Sequence, residues 1–288
     1  MREKVINTGK YWILPIFSIS LIIYSFSYSS NPYPNSPGEN EYIVNATLYN
    51  QLSGEYRTLA FQAYSLAKFR LNGILKNIKH DRPVAVVVDL DETILDNSNF
   101  QGQLIKDDSS YTDEWKEYVN EAKAKAVPGA VEFLNYVNSC KVKYKHHKES
   151  IHIFYITNRD TTQKKATAIN LKKLGFPQID AVNIENDYNL MVSIGNTNKQ
   201  ARFDTVSKKY RILLQMGDNL NDFTGDFYGK SDSARISKVD SLEALGKIGK
   251  EYIILPNAIY GDWVSGLPKS NSVKDPAVSR RLDLKGYK

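Results

Sequence analysis

Residues Val84–Val88 are all valine apart from Ala85, and they follow Pro83. A run this short, this apolar and this β-branched suits a strand covered on both faces, which implies a parallel sheet flanked by helices. The chain leaves the run through Asp89-Leu90-Asp91-Glu92-Thr93. Two carboxylates two residues apart therefore emerge at the carboxyl end of a buried strand, the edge where open α/β sheets hold ligands. Both can serve one crevice if the chain turns soon after Asp89, with Leu90 packing back and the Asp91 side chain over the site. Adjacent carboxylates repel unless a hard cation neutralises them, and oxygen donors favour Mg2+. Asp-x-Asp alone is equally an acidic surface turn; the hydrophobic run before it and the threonine after it make the pattern specific.

The rest of the chain repeats the alternation of strand and helix. Apolar residues at mixed helical spacing predict a helix over 49–77. Two more helices are expected at Thr112–Lys125 and Gly129–Ser139, a strand at Ile151–Ile156, and an amphipathic helix at Thr161–Leu174 stopped by Gly175. A helix at Asn198–Lys209 feeds a third strand at Ile212–Met216, and Tyr252–Leu255 is a fourth apolar run. The order implies an α/β fold with a parallel sheet. After the third strand comes Gly217-Asp218-Asn219-Leu220-Asn221-Asp222, whose aspartates four apart would share one face of a helix beginning there. Asp218 could instead be a helix cap, but a cap does not require Asp222. Thr157-Asn158-Arg159 ends the second strand and Lys199 opens a helix. A hydroxyl, an amide and an ammonium there suit the oxygens of a phosphoryl group. Taken singly, Thr157 could be a cap and Lys199 a surface lysine.

Charge and composition exclude several classes. The formal net charge is +6, but residues 1–11 carry +2 and residues 269–288 carry +4, so the body between them holds 29 basic against 29 acidic side chains. A nucleic-acid-binding domain normally puts a basic stripe on its folded body, so no nucleic-acid partner is expected. Cys140 is the single cysteine, which removes intrachain disulfides and multi-cysteine zinc sites. Neither HExxH nor GxSxG occurs. Residues 1–30 join a basic head to an apolar run, the pattern of a secretory signal. If residues 11–28 stayed uncleaved they would attach the protein to a membrane. Either way the location expected is extracytoplasmic, periplasmic or secreted. Residues 31–46 are expected as a linker, 47–268 as the catalytic domain, and 269–288 as a flexible basic tail. The basic stretch Lys141–Ser150 is expected as a solvated loop.

In these motifs the chain resembles the haloacid dehalogenase (HAD) phosphotransferases, and most closely the class C bacterial acid phosphatases. The resemblance runs from about Leu52 to Trp263. It is carried by Asp89 and Asp91, Ala126-Val127-Pro128-Gly129-Ala130, Thr157-Asn158-Arg159, Lys199 with Arg202, and Asp218-Asn219 with Asp222-Phe223. Leu255-Pro256-Asn257 and Tyr260-Gly261-Asp262-Trp263 complete it. It implies a doubly wound core with a helical cap built from N- and C-terminal segments, and it suggests a homodimer. It implies Mg2+-dependent hydrolysis of a small-molecule phosphomonoester at acidic pH, with nucleoside 5′-monophosphates as the expected substrates. Asp89 would be the nucleophile and Asp91 the proton donor and later base. The metal set would be Asp89, Asp91 through its carbonyl, and Asp218, with Asp222 orienting the shell. Thr157, Asn158 and Lys199 would hold the phosphoryl oxygens, Lys199 also restraining Asp89. Trp115 and Tyr260 would pack on the base, unless they simply fill the cap. Transfer to another alcohol, or a non-catalytic binding or storage role on the same fold, are the competing functions. Unlike lipoprotein members, this chain has no cysteine after the signal to carry a lipid.

Overall fold

A computed structural model describes residues 40–267 except 79–80, 110, 145–146 and 185–186, together with 280–281 and 284–286. The expected targeting segment, most of the expected linker and most of the basic tail lie outside the described residues. The element order is α1 (Val44–Leu52), α2 (Gly54–Asn77), β1 (Val84–Val88), β2 (Leu95–Asp96), α3 (Ser98–Asp107), α4 (Tyr111–Glu121), β3 (Lys125–Ala126) and α5 (Ala130–Ser139). It continues through β4 (Lys141–Tyr144), β5 (His147–Ser150), β6 (His152–Asp160), α6 (Lys164–Leu174), β7 (Leu190–Ser193), α7 (Gln200–Lys209) and β8 (Arg211–Gly217). It closes with α8 (Asp232–Ala244), β9 (Tyr252–Ile254) and α9 (Asp262–Gly266).

Five parallel strands form the central sheet in the order β7-β6-β1-β8-β9. The valine run is its middle strand. Val84, Val86 and Val88 point to one face and join the core with Ala60, Ala67 and Leu71 of α2 and Leu134 of α5. Ala85 and Val87 point to the other face and meet Phe203 and Val206 of α7. Burial on both faces explains why the run is apolar at every position rather than at every second one. Each buried valine is worth roughly 1.5–3 kcal/mol, and a charge such as Val86→Asp would break the sheet at its centre. Helices on both faces make the sheet doubly wound, as expected.

Several elements differ from expectation. The single helix expected over 49–77 is two, because Ser53 is extended (φ −84°, ψ 139°) and its hydroxyl accepts from the Tyr56 N–H, capping α2. Helical chain also begins at Glu41, inside the stretch expected as linker. Its support is non-local: Asn40 Nδ2 donates to the Ser109 carbonyl and Gln51 Nε2 to the Ser98 carbonyl, so α1 leans on α3. The basic stretch Lys141–Ser150 is an antiparallel hairpin rather than a loop. Lysines alternate with Val142, which is buried, so the segment has a strand period. It precedes the first residue of β6 and so sits at the sheet edge away from Asp89. The helices α3 and α8 and the edge strand β7 were not expected. Among the described residues, no helix is long and apolar enough to cross a membrane.

Candidate active site

The C-terminal ends of β1, β6 and β8 converge on a cavity of about 330 Å³. Asp89 still pairs with β8, its N–H donating to the Met216 carbonyl (2.9 Å). The chain then wraps around the Leu90 carbonyl, which accepts from the N–H groups of Thr93, Ile94 and Leu95. Glu92 takes the left-handed conformation (φ 58°) that this tight loop requires. Leu90 is wholly buried and Asp91 faces the cavity.

Asp89, Lys199 and Asp222 form a buried row. The Lys199 ammonium donates to Asp89 Oδ1 and to Asp222 Oδ1, the latter at 2.6 Å. Asp222 Oδ2 accepts from the Asn219 N–H (2.9 Å). The helix expected at Asp218 is not an α-helix: Leu220–Asp222 is one 3-10 turn capped by Asn219. The four-residue spacing survives because the Asp222 side chain folds back onto the cap. That fold-back needs Gly217, where any Cβ would collide with Asp222. Asp218 accepts from Asn257 Nδ2 (2.8 Å) at Oδ2, and the Thr93 hydroxyl lies 3.2 Å from both Asp218 Oδ1 and Asp89 Oδ2.

Asp91 is held separately. Arg159 donates to it through Nη2 (2.7 Å) and Nε (3.1 Å), Asn97 through Nδ2 (2.9 Å) and Thr157 through its hydroxyl (3.3 Å). Arg159 is almost fully buried, donates also to the Thr167 hydroxyl, and lies 5.3 Å over the Trp115 ring. Thr157 is completely buried with its hydroxyl engaged by Asp91 and the Arg159 N–H, so it stands behind the cavity wall. Asn158 lines the cavity, its Oδ1 accepting from Arg202 (2.7 Å), which also donates to the Thr157 carbonyl. Trp115 and Tyr260 line the same cavity. Trp115 also packs on Phe100 and Tyr118, with ring centroids 5.1 and 5.7 Å away.

Like charges dominate the electrostatics. Burial, then the Asp222 and Asp91 charges, push Asp89 up to about 7 against the opposing pull of Lys199. Burial and the charges of Asp222 and Asp89 push Asp218 well above the usual carboxylate range. Burial favours a neutral Lys199, but Asp222 and Asp89 overcome it and the net shift is upward. Carboxylate oxygens of Asp89, Asp218 and Asp222 all lie within 4.8 Å of one another. Lys199 and Arg159 offset only part of the negative charge that Asp89, Asp91, Asp218 and Asp222 would carry when ionised. The uncompensated carboxylates and the all-oxygen donor set fit a divalent hard cation.

A family model, HAD superfamily, subfamily IIIB (acid phosphatase), matches residues 35–263. The chain belongs to that family. Two solved structures of the class C acid phosphatase from Bacillus anthracis are similar to it at 33% identity. One, with tungstate bound, superposes with a TM-score of 0.74 and covers 86% of this chain and 98% of its own. The other has a TM-score of 0.75 and covers 87% of this chain and 99% of its own. As a HAD subfamily IIIB acid phosphatase, the chain is a phosphomonoester hydrolase, and a small phosphate ester is its substrate.

Sequence alone assigned no role to Arg159, Arg202, Thr93, Asn97 or Asn257, all of which hold the aspartates or the Thr157–Asn158 loop. Arg159 carried a usable signal: it lies two residues beyond Thr157 on one strand, and such residues share a face. Arg235, buried on α8 and donating to Asn219 Oδ1 (3.3 Å), had none.

Proposed function

We propose that this phosphatase hydrolyses nucleoside 5′-monophosphates through a phosphorylated Asp89. The observation that carries the chemistry is the division of labour between the two motif aspartates. Asp89 is paired with a lysine at the strand end, while Asp91 is held two residues on by Arg159, Asn97 and Thr157. Lys199 pins Asp89 Oδ1, so Oδ2 attacks phosphorus and the bond to the leaving oxygen breaks. Asp91 gives its proton to that leaving alkoxide. As a carboxylate it then takes one from the water that hydrolyses the aspartyl-phosphate. The first step needs Asp89 ionised and the proton on Asp91 at the moment the ester bond breaks. Asn158 and Lys199, which face the cavity, hold the phosphoryl oxygens; Thr157, spent on Asp91, aims the acid instead. Magnesium held by Asp89, the Asp91 carbonyl and Asp218 would supply charge neutralisation between the anionic nucleophile and the anionic ester. The tungstate in a solved relative, an oxyanion of phosphate's shape, supports an oxyanion site in this fold.

The substrate class rests on Trp115 and Tyr260, two aromatic rings lining the cavity that Asp89 also lines. Asp89→Asn keeps the shape and removes the nucleophile. It should abolish turnover of phenyl phosphate and adenosine monophosphate alike, with the melting temperature kept within a few degrees. Retained turnover, after excluding deamidation back to aspartate, would end the covalent mechanism.

A further inference from the structure

The aspartates, the lysine and the aromatic pair leave one wall of the cavity without a task. It is made of Asn219 and, on the short helix α9, Asp262 and Ser265. Asp262 follows Gly261, which has a φ of 139° and lines the same cavity. Its Oδ2 accepts from Asn221 Nδ2, which ties α9 to the loop carrying Asp218 and Asp222. Its Oδ1 takes no hydrogen bond from the described residues, and neither does the exposed Ser265 hydroxyl.

Asn219 is oriented from behind. Its Oδ1 accepts from the Asn221 N–H and from Arg235, each at 3.3 Å. Arg235 is only 5% exposed, and the acceptors it has there are Asn219 and the Phe227 carbonyl. A buried guanidinium makes it costly for Asn219 to flip its amide, so Nδ2, the donor, faces the Gly261 side. The wall therefore offers a carboxylate acceptor, a hydroxyl and an amide donor, next to Tyr260. An anionic acceptor repels phosphate, so this wall does not serve the reacting group. A carboxylate with one oxygen fixed and the other open suits neutral hydroxyls, as where an acidic side chain holds a ribose 2′-hydroxyl in dinucleotide sites.

We propose that Asp262, assisted by Ser265 and Asn219, accepts hydrogen bonds from the ribose hydroxyls of the substrate. The enzyme then prefers ribonucleoside over 2′-deoxyribonucleoside 5′-monophosphates. This rests on the nucleotide reading above and deepens it by naming the sugar. The experiment compares kcat/KM for adenosine 5′-monophosphate, its 2′-deoxy analogue and phenyl phosphate in the wild type and in Asp262→Ala. A ratio of two substrates within one preparation does not depend on how much of the enzyme is folded. The ribo-to-deoxy ratio should be about 10 or more in the wild type and fall to about 1 in the variant, mostly through KM. A wild-type ratio near 1, with both nucleotides still preferred to phenyl phosphate, overturns the sugar assignment and leaves the nucleotide reading standing. A high ratio that Asp262→Ala does not change removes Asp262 from the role. No preference for either nucleotide over phenyl phosphate would sink both readings together.

Discussion

Lys199 is a cation with almost no access to water, held between Asp89 and Asp222. Removing one partner of a buried ion pair leaves the others uncompensated, which typically costs about 3–5 kcal/mol. Lys199→Met should therefore lower the melting temperature clearly and reduce turnover at least about 100-fold, measured by thermal denaturation and steady-state kinetics. Trp115 has two roles. It supports Arg159 through its ring face, packs on Phe100, and lines the cavity. If it also stacks on a base, worth about 1–3 kcal/mol, Trp115→Ala should raise KM for adenosine monophosphate roughly 10- to 100-fold and spare phenyl phosphate. Equal losses on both substrates together with a lower melting temperature would assign the ring to packing alone. Asp89, Asp91 and Asp218 were legible at this scale because motif spacing places them at strand ends. Arg235 was not, because its contact with Asn219 joins residues on separate elements.

Among the elements, the turn that carries β6 into α6 is closed by a reciprocal cap. Asp160 accepts from the Thr162 and Gln163 N–H groups, and the Gln163 side chain accepts from the Asp160 N–H. The Thr162 hydroxyl first, then these N–H groups, hold the Asp160 carboxyl below its ordinary range. A carboxylate with a depressed folded-state pKa stabilises above its unfolded value, and the stabilisation disappears as pH falls through the folded value. Asp160→Ala should cost about 0.5–2 kcal/mol at neutral pH. The gap from wild type should close below about pH 4, the ordinary Asp range, in denaturant titrations run across that window. A gap unchanged down to pH 2 would mean the carboxylate contributes nothing. The hairpin β4–β5 shows why elements were harder to anticipate than motifs. Its lysine-rich composition marks it as loop, whereas its alternation, anchored by buried Val142, decides the conformation.

For the molecule as a whole, charge is the governing quantity. The acidic cluster destabilises itself by repulsion within a buried cavity, since Asp89, Asp218 and Asp222 each raise the cost of ionising another. A cation bound there relieves that repulsion only in the folded state, so it stabilises by mass action. At 100 times its dissociation constant a ligand adds about 2.7 kcal/mol, or very roughly 5–10 °C in a domain of this size. Magnesium should raise the melting temperature by that order and EDTA should reverse it. Asp218→Asn should lose most of the shift while remaining folded. A melting temperature indifferent to magnesium would leave the cluster without its expected ion.

Local chemistry was enough to place the central strand, the class of the sheet and the two aspartate motifs. The valine run has one favourable environment, and the residues that follow it must emerge at the ligand-binding edge. What composition and period could not decide was everything that depends on residues distant in sequence. The start of α1 depends on α3, the break at Ser53 separates two helices with one continuous apolar pattern, and edge strand β7 is a strand because β6 offers it a partner. Asp91 meets Arg159 across 68 residues, and Lys199 meets Asp89 across 110. Those pairings exist because the parallel crossover connections bring the ends of β1 and β6 and the connection from β7 to α7 to one edge. A buried charge is stable there only where the partner arrives from another strand or helix.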